Sequence, residues 1–174
     1  MAHLKIDRSR SLDLRSDLLG SGYFSREEIN PKSNLVTEVD PSKIKLVSVL
    51  GRDVVDPALV STTIEKRLNE IDASGATLLD AKVLEALLAN QQTIPSEWAS
   101  IADQSWYGDE SGSICFYGSV FHQISRGEET VLQLCFERGH WFRIYAPARF
   151  SKAELERFTQ SGKFSYSRIL AAVI

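Results

Sequence analysis

Few side chains in this sequence can do nucleophilic or metal chemistry: Cys115 and Cys135, with His3, His122 and His140. A thiol nucleophile needs a base within hydrogen-bond reach. Cys115 and His122 lie seven residues apart in one apolar run, so on a strand they point to opposite faces. Cys135 falls far along the next run from His122, and His140 sits in or beside a turn. Zinc needs three or four converging ligands, and these residues show no close metal spacing. The acidic pairs Glu27/Glu28, Asp109/Glu110, Glu128/Glu129 and Glu154/Glu156 fall mostly at turns or helix starts, where solvation and capping account for them. There is no Rossmann fingerprint, P-loop, HExxH or EF-hand loop. What remains is recognition chemistry. Arg138, Trp141, Arg143 and Tyr145, joined by Tyr117 and by Trp106, form the candidate ligand or partner surface, because arginine and rigid aromatics grip planar or acidic groups and anchor interfaces. No catalytic residue, metal ligand or cofactor is assigned.

All of these but Trp106 belong to the stretch from Ile114 to Ala146, three apolar and β-branched runs separated by SRGE and ERGH. The pattern predicts an antiparallel three-stranded meander. With two-residue turns centred on Arg126-Gly127 and Arg138-Gly139, Ile124 opposes Glu129 and Glu137 opposes His140. That register puts Ile114, Phe116, Val131, Cys135, Phe142 and Ile144 on one face. Tyr117, Phe121, Leu132, Leu134, Trp141, Arg143 and Tyr145 take the other. A one-residue bulge would exchange these assignments. Neither face is polar, so the sheet must be covered on both sides, rolled into a small barrel, or left with an aromatic face for a partner.

Two longer helices are available to cover it. Asp56-Pro57 reads as a cap with proline at the first position, followed by the stripe Val60, Ile64, Leu68 and Ile71. Asp80 caps a second helix with Val83, Leu84, Leu87 and Leu88 on one face. The two are expected as a hairpin over one side. Ile94 and Trp98 then tuck against the core around Pro95. Earlier, Ser25 to Glu28 fits a capping box for about a turn of helix. Short strands are expected at 35 to 39 and near 44 to 50, the alternative being a helix capped by Asp40. A last helix is expected at 151 to 160, and the tail FSYSRILAAVI packs back as an edge strand or a short helix. The fold class is therefore α+β, with the meander extended by one or two N-terminal strands and two helices packed on it. Residues 1–34 form a docked extension and 35–174 a single domain.

The chain has 174 residues, 43% hydrophobic and 25% charged, with a formal charge of −3 and pI near 5.7. That balance gives no compositional reason to expect nucleic-acid binding. Charge is uneven, however: residues 138–174 carry +5 and the remainder −8. The basic end is either a solvated surface or a face for an acidic partner, and its interleaved arginines and aromatics leave weak single-strand nucleic-acid binding as a further alternative. No run is long and apolar enough for a membrane span and no secretory h-region opens the chain, so a cytoplasmic location with free, buried cysteines is expected.

The runs LVTEVDPSKIKLVSVL, LDAKVLEALLANQQTIPSEW and ICFYGSVF, with GHW at the second break, resemble a family of small uncharacterised bacterial proteins. Its pattern is TEVD, LDAKV…N…IP…W, F-G-T-V and G-x-W, here across residues 35 to 145. Ser119 stands where the pattern has threonine, and FRIYAPARF replaces a Trp/Tyr-rich segment. The resemblance implies a common fold and says nothing about a reaction. The expected function is that of a non-catalytic binding or accessory protein acting through a protein partner or self-association. The alternative is a ligand-binding protein or enzyme using the Trp141/Arg143/Tyr145 face.

Overall fold

The computed structural model describes residues 3–12, 24–51, 59–103, 112–123, 129–148 and 168–174. Its centre is strand β5 (Gly112–Gln123), which continues into β6 (Glu129–Glu137) and β7 (His140–Pro147) as consecutive antiparallel partners. Along the other edge of β5, β8 (Arg168–Val173) runs parallel to its first half and β2 (Phe24–Ile29) antiparallel to its second. Strand β4 (Lys45–Leu50) closes the path outside β8, giving the order β4-β8-β5-β6-β7. A separate two-stranded ladder joins β1 (Leu4–Lys5) to β3 (Glu38–Val39). The fold is α+β, as the residue pattern predicts, and no helix among the described residues is long and apolar enough to cross a membrane.

The second break closes as expected. Glu137 faces His140, and Arg138 and Gly139 both adopt positive φ (51° and 83°), the geometry of a type I′ turn whose twist matches the strands. The β5–β6 register differs: Glu129 pairs with His122 rather than Ile124, two residues away from the register that a turn centred on Arg126-Gly127 requires. Inside β5 the register also slips. Phe116 faces Leu132 and Phe121 faces Thr130, leaving residues 117–120 opposite Val131 alone. The bulge rotates the strand between its two halves, so Phe116 and Phe121, five residues apart, reach the same core. Ile114 and Phe116 therefore join Leu132 and Leu134, while Tyr117 goes to the opposite face with Val131.

Both faces are covered, but not by a helix hairpin on one side. Helix α2 (Val60–Ala73) buries Val60, Ile64 and Ile71 against Val49, Tyr117 and Ala171. Helix α3 (Ala81–Ala89) buries Val83, Leu84 and Leu87 on the other face, against Ile114, Phe116 and Leu134. The Leu78–Leu79 segment between them carries the chain across the sheet. Leu79 donates to Ala172 O (2.9 Å) and accepts from Gly118 N (2.9 Å), filling the gap between β8 and β2 on the edge of β5. Each fully buried leucine or isoleucine in these cores contributes about 1.5–3 kcal/mol.

Other expectations divide similarly. Asp80 caps α3 as the sequence predicts, accepting from Val83 N at 3.1 Å, and Ile94 and Trp98 are buried beside it, the latter in α4 (Trp98–Ala102). Asp40 caps a single 3-10 turn, Pro41–Lys43, so strand β4 and the short turn coexist. Ser25 to Glu28 is not helical but lies in β2, because ladder pairing with β5 outweighs a local cap over so short a run. Pro31 opens a single turn, α1 (Pro31–Asn34), capped by Asn30. The tail becomes β8, an internal strand rather than an edge or a helix. The Asp56-Pro57 cap and the 151 to 160 helix lie outside the described residues.

Candidate functional surface

Strand β7 brings together three of the six candidate residues. Trp141, Arg143 and Tyr145 alternate along it and share the face turned toward α3. The Trp141 ring packs on Phe136, its rung partner, at a centroid distance of 4.7 Å and a 54° tilt. The Tyr145 ring meets Phe121 edge-on at 6.0 Å and 85°. Arg143 forms an ion pair with Glu85 of α3, its own side chain only 8% exposed against 40% for the glutamate. The 3-10 turn Gln91–Thr93 adds a clamp. Gln91 Nε2 donates to Trp141 O (3.3 Å), and Trp141 N donates to Gln91 Oε1 (3.4 Å). One side-chain amide thus satisfies both polar groups of Trp141, as a neighbouring strand would. These side chains hold the α3 layer on the sheet, and Arg143 already has a carboxylate.

The remaining candidates are elsewhere. Tyr117 does not share the Trp141 face, because the β5 bulge turns it into the α2-side core. Burial pushes its phenol well above the usual range, and the neighbouring Cys115 thiol adds to that rise. Arg138 occupies the β6–β7 turn with its side chain 89% exposed, 3.8 Å from Glu137. Trp106 lies outside the described residues.

The cysteines are buried and His122 stands between two carboxylates. Cys115 and Cys135 are free and buried, and burial pushes both thiols up to about 12. Cys115 faces Gln133 across the ladder, which makes Cys135 its diagonal neighbour, beyond the side-chain spacing a disulfide needs. His122 Nε2 lies 3.4 Å from Glu28 and Nδ1 3.9 Å from Glu129, at the junction of β2, β5 and β6. Cys135 is six residues along β6 from Glu129, His122's rung partner, roughly 20 Å at strand rise. No group of three or more metal-ligating side chains converges among the described residues.

A second polar assembly carried little sequence signal. Arg8, from the N-terminal segment, pairs with Asp80, whose side chain is fully buried at the start of α3. Its guanidinium also donates to Val36 O (2.7 and 3.0 Å) and Ser33 O (2.8 Å). Ser119 accepts from Ala81 N (3.2 Å) and donates to Glu27 (2.7 Å). Burial raises the Glu27 carboxyl above its ordinary value, against the lowering effect of the Ser119 bond. Asp80 was legible as a cap. Its arginine partner stands 72 residues away, and no local pattern marks such a pair.

The motifs behind the family resemblance have structural work in this chain. TEVD supplies β3 and the Asp40 cap, LDAKV the start of α3, the GSV glycine its close approach to Leu79, and GHW the β6–β7 turn. No protein-family model, curated protein or solved structure matches the chain, so its functional reading rests on its own residues.

Proposed function

We propose that this chain is a non-catalytic, cytoplasmic binding or accessory protein that acts through a protein partner or a second copy, using β7 as its contact surface. The carrying observation is the exposure along that strand. Every residue from Trp141 to Pro147 is only half-buried, whereas Val131 to Cys135 on adjoining β6 are buried. β7 ends the strand path, and its outward alternation places Phe142 and Ile144 opposite the Trp141 face. A strand bearing tryptophan, phenylalanine, isoleucine and tyrosine at intermediate exposure has the composition of an interface core, with exposed Arg138 and His140 at its rim. The Arg143–Glu85 pair and the Gln91 clamp support rigid presentation of that strand, which lowers the ordering cost of docking.

The test compares wild type with a Phe142→Ala/Ile144→Ala variant shown by urea unfolding to remain folded. Sedimentation velocity reads self-association, and affinity capture from the native cell reads protein partners. The expected result is an association, with itself or with a specific protein, that the wild type makes and the variant loses. Identical behaviour of the two proteins in both assays overturns the reading.

A further inference from the structure

Two thiols, a phenol and an amide meet inside the sheet on the side that α2 covers. Cys115 of β5 stands directly opposite Gln133 of β6, so these side chains share a face. Cys135, two residues along β6, shares it as well. Tyr117, two residues along β5 from Cys115, lies in the same core cluster as that cysteine. All four side chains are buried. The Tyr117 hydroxyl lies beside the Cys115 thiol and has no hydrogen-bond partner. The Gln133 amide lies beside the Cys135 thiol. Each sulfur thus has one hydrogen-bond donor next to it. A buried hydroxyl left without a partner is unfavourable and calls for an explanation.

We propose that Cys115 and Cys135 form a two-coordinate site for a soft monovalent metal ion, Cu(I), with Tyr117 and Gln133 donating to the two sulfurs. Spacing carries the argument. Diagonal neighbours on a ladder stand about 7–8 Å apart, with their Cβ atoms somewhat closer. A disulfide needs Cβ atoms about 3.5–4.5 Å apart, so this pair is too widely spaced for one. Metal–thiolate bonds are about 2.3 Å long, so a linear sulfur–metal–sulfur unit sets the sulfurs about 4.6 Å apart. That is more than twice the disulfide bond length of about 2 Å, and the added length spans the diagonal. Thiolates select soft ions. Zinc takes four ligands, and no group of three metal-ligating side chains converges among the described residues, whereas Cu(I) is satisfied by two. On binding, two Cu–S bonds form and two S–H bonds break. Both protons leave to solvent, and the copper stays Cu(I). The bis-thiolate complex carries one negative charge, which the Tyr117 O–H and a Gln133 N–H meet as charge-assisted donors. The phenol that has no partner in the metal-free chain thereby gains an acceptor. The site is internal, and the proposal stands independently of the function assigned to β7.

Copper retention in the full-length chain tests it. Because both thiols are buried, the chain is refolded from urea without oxygen in the presence of one equivalent of Cu(I). It is then challenged under native conditions with bathocuproine disulfonate, whose Cu(I) complex is coloured. The wild type is expected to retain about one ion per chain and to show a higher urea midpoint loaded than metal-free. Cys115→Ala and Cys135→Ala, each shown by its urea transition to be folded, lose that retention. Tyr117→Phe separates the metal site from core packing. Its ring remains and its hydroxyl has no partner to lose, so the metal-free variant keeps the wild-type urea midpoint. Its hold on copper falls about 10–100-fold, the usual effect of removing a group that supports a metal ligand. Zn(II) offered in the same way is not retained. Copper stripped from the wild type as readily as from either single-cysteine variant overturns the inference, as does an unchanged midpoint on loading. Tyr117→Phe holding copper as tightly as wild type overturns it too, and decides alone should an alanine variant fail to fold. Association through β7 is read on metal-free protein, so the two readings fail separately.

Discussion

Replacing Gly118 by alanine isolates the contact that joins the two halves of the sheet. Gly118 has no positive φ that would demand glycine, so backbone strain predicts little effect. Space predicts a large one. A Cβ there would stand 2.5 Å from Ser33 Oγ, 2.7 Å from Leu78 O and 2.7 Å from Leu79 C. Two of these neighbours are backbone atoms of the segment that crosses the sheet and cannot rotate away. Overpacking of this kind costs about 1–3 kcal/mol. Forcing the strands apart also stretches the bonds from Gly118 N to Leu79 O and from Asn30 N to Gly118 O, at 2.9 and 2.8 Å. Each contributes about 1 kcal/mol. The expected loss is therefore about 3–5 kcal/mol, read as a lower urea midpoint at unchanged slope. In a chain of this length it lowers Tm by roughly 10 °C. Gly139→Ala is the internal comparison, since that glycine has φ of 83° and open space around its Cβ. Only the left-handed backbone cost of about 1–2 kcal/mol applies there. A Gly118→Ala loss below about 1 kcal/mol, or one smaller than that of Gly139→Ala, refutes the close-approach argument.

Two further outcomes follow from the buried polar groups. Glu27 has its carboxyl raised by burial, so the folded state holds that proton more tightly than the unfolded chain does. Its charge opposes folding once pH passes the folded value, and this cost is absent below the unfolded value. Glu27→Gln should thus match wild type near about pH 4 and become the more stable protein toward about pH 7, by urea titrations at each pH; a variant that loses stability relative to wild type as pH rises contradicts the assignment. Cys115 and Cys135, both pushed up to about 12, should resist Ellman's reagent in the folded chain near pH 8, where only about one thiol in ten thousand is ionised, and both should react in denaturant. A fast equivalent in the native chain would contradict their burial.

Elements whose signals are complete within a few residues were legible without coordinates. Arg138-Gly139 between two apolar runs gives the I′ turn and the Glu137–His140 rung. Asp80 before AKVLEALLA gives the cap and the buried face of α3. The apolar character of both meander faces left cover on each side, a small barrel or a face for a partner as the alternatives, and the structure packs a core cluster on each face. Ser25 to Glu28 misled because a capping box and an edge strand can share one sequence, and the choice lies with β5, nearly a hundred residues on.

Of the candidate surface, the alternation of Trp141, Arg143 and Tyr145 on one strand was readable from the sequence, and their assembly against α3 was not. The separation of Tyr117 from them depends on the β5 bulge, and inverting a strand's faces takes only a slip in pairing that composition does not record. The Arg8–Asp80 pair, the placement of α2 and α3 on opposite faces, and the insertion of β8 beside β5 were likewise decided by tertiary structure. The sequence by itself determined which segments are strands or helices wherever period, cap and turn agree, because those are energies of neighbouring residues. Tertiary structure decided which face each segment shows and which distant charge it meets, because those energies exist only once the chain has closed on itself.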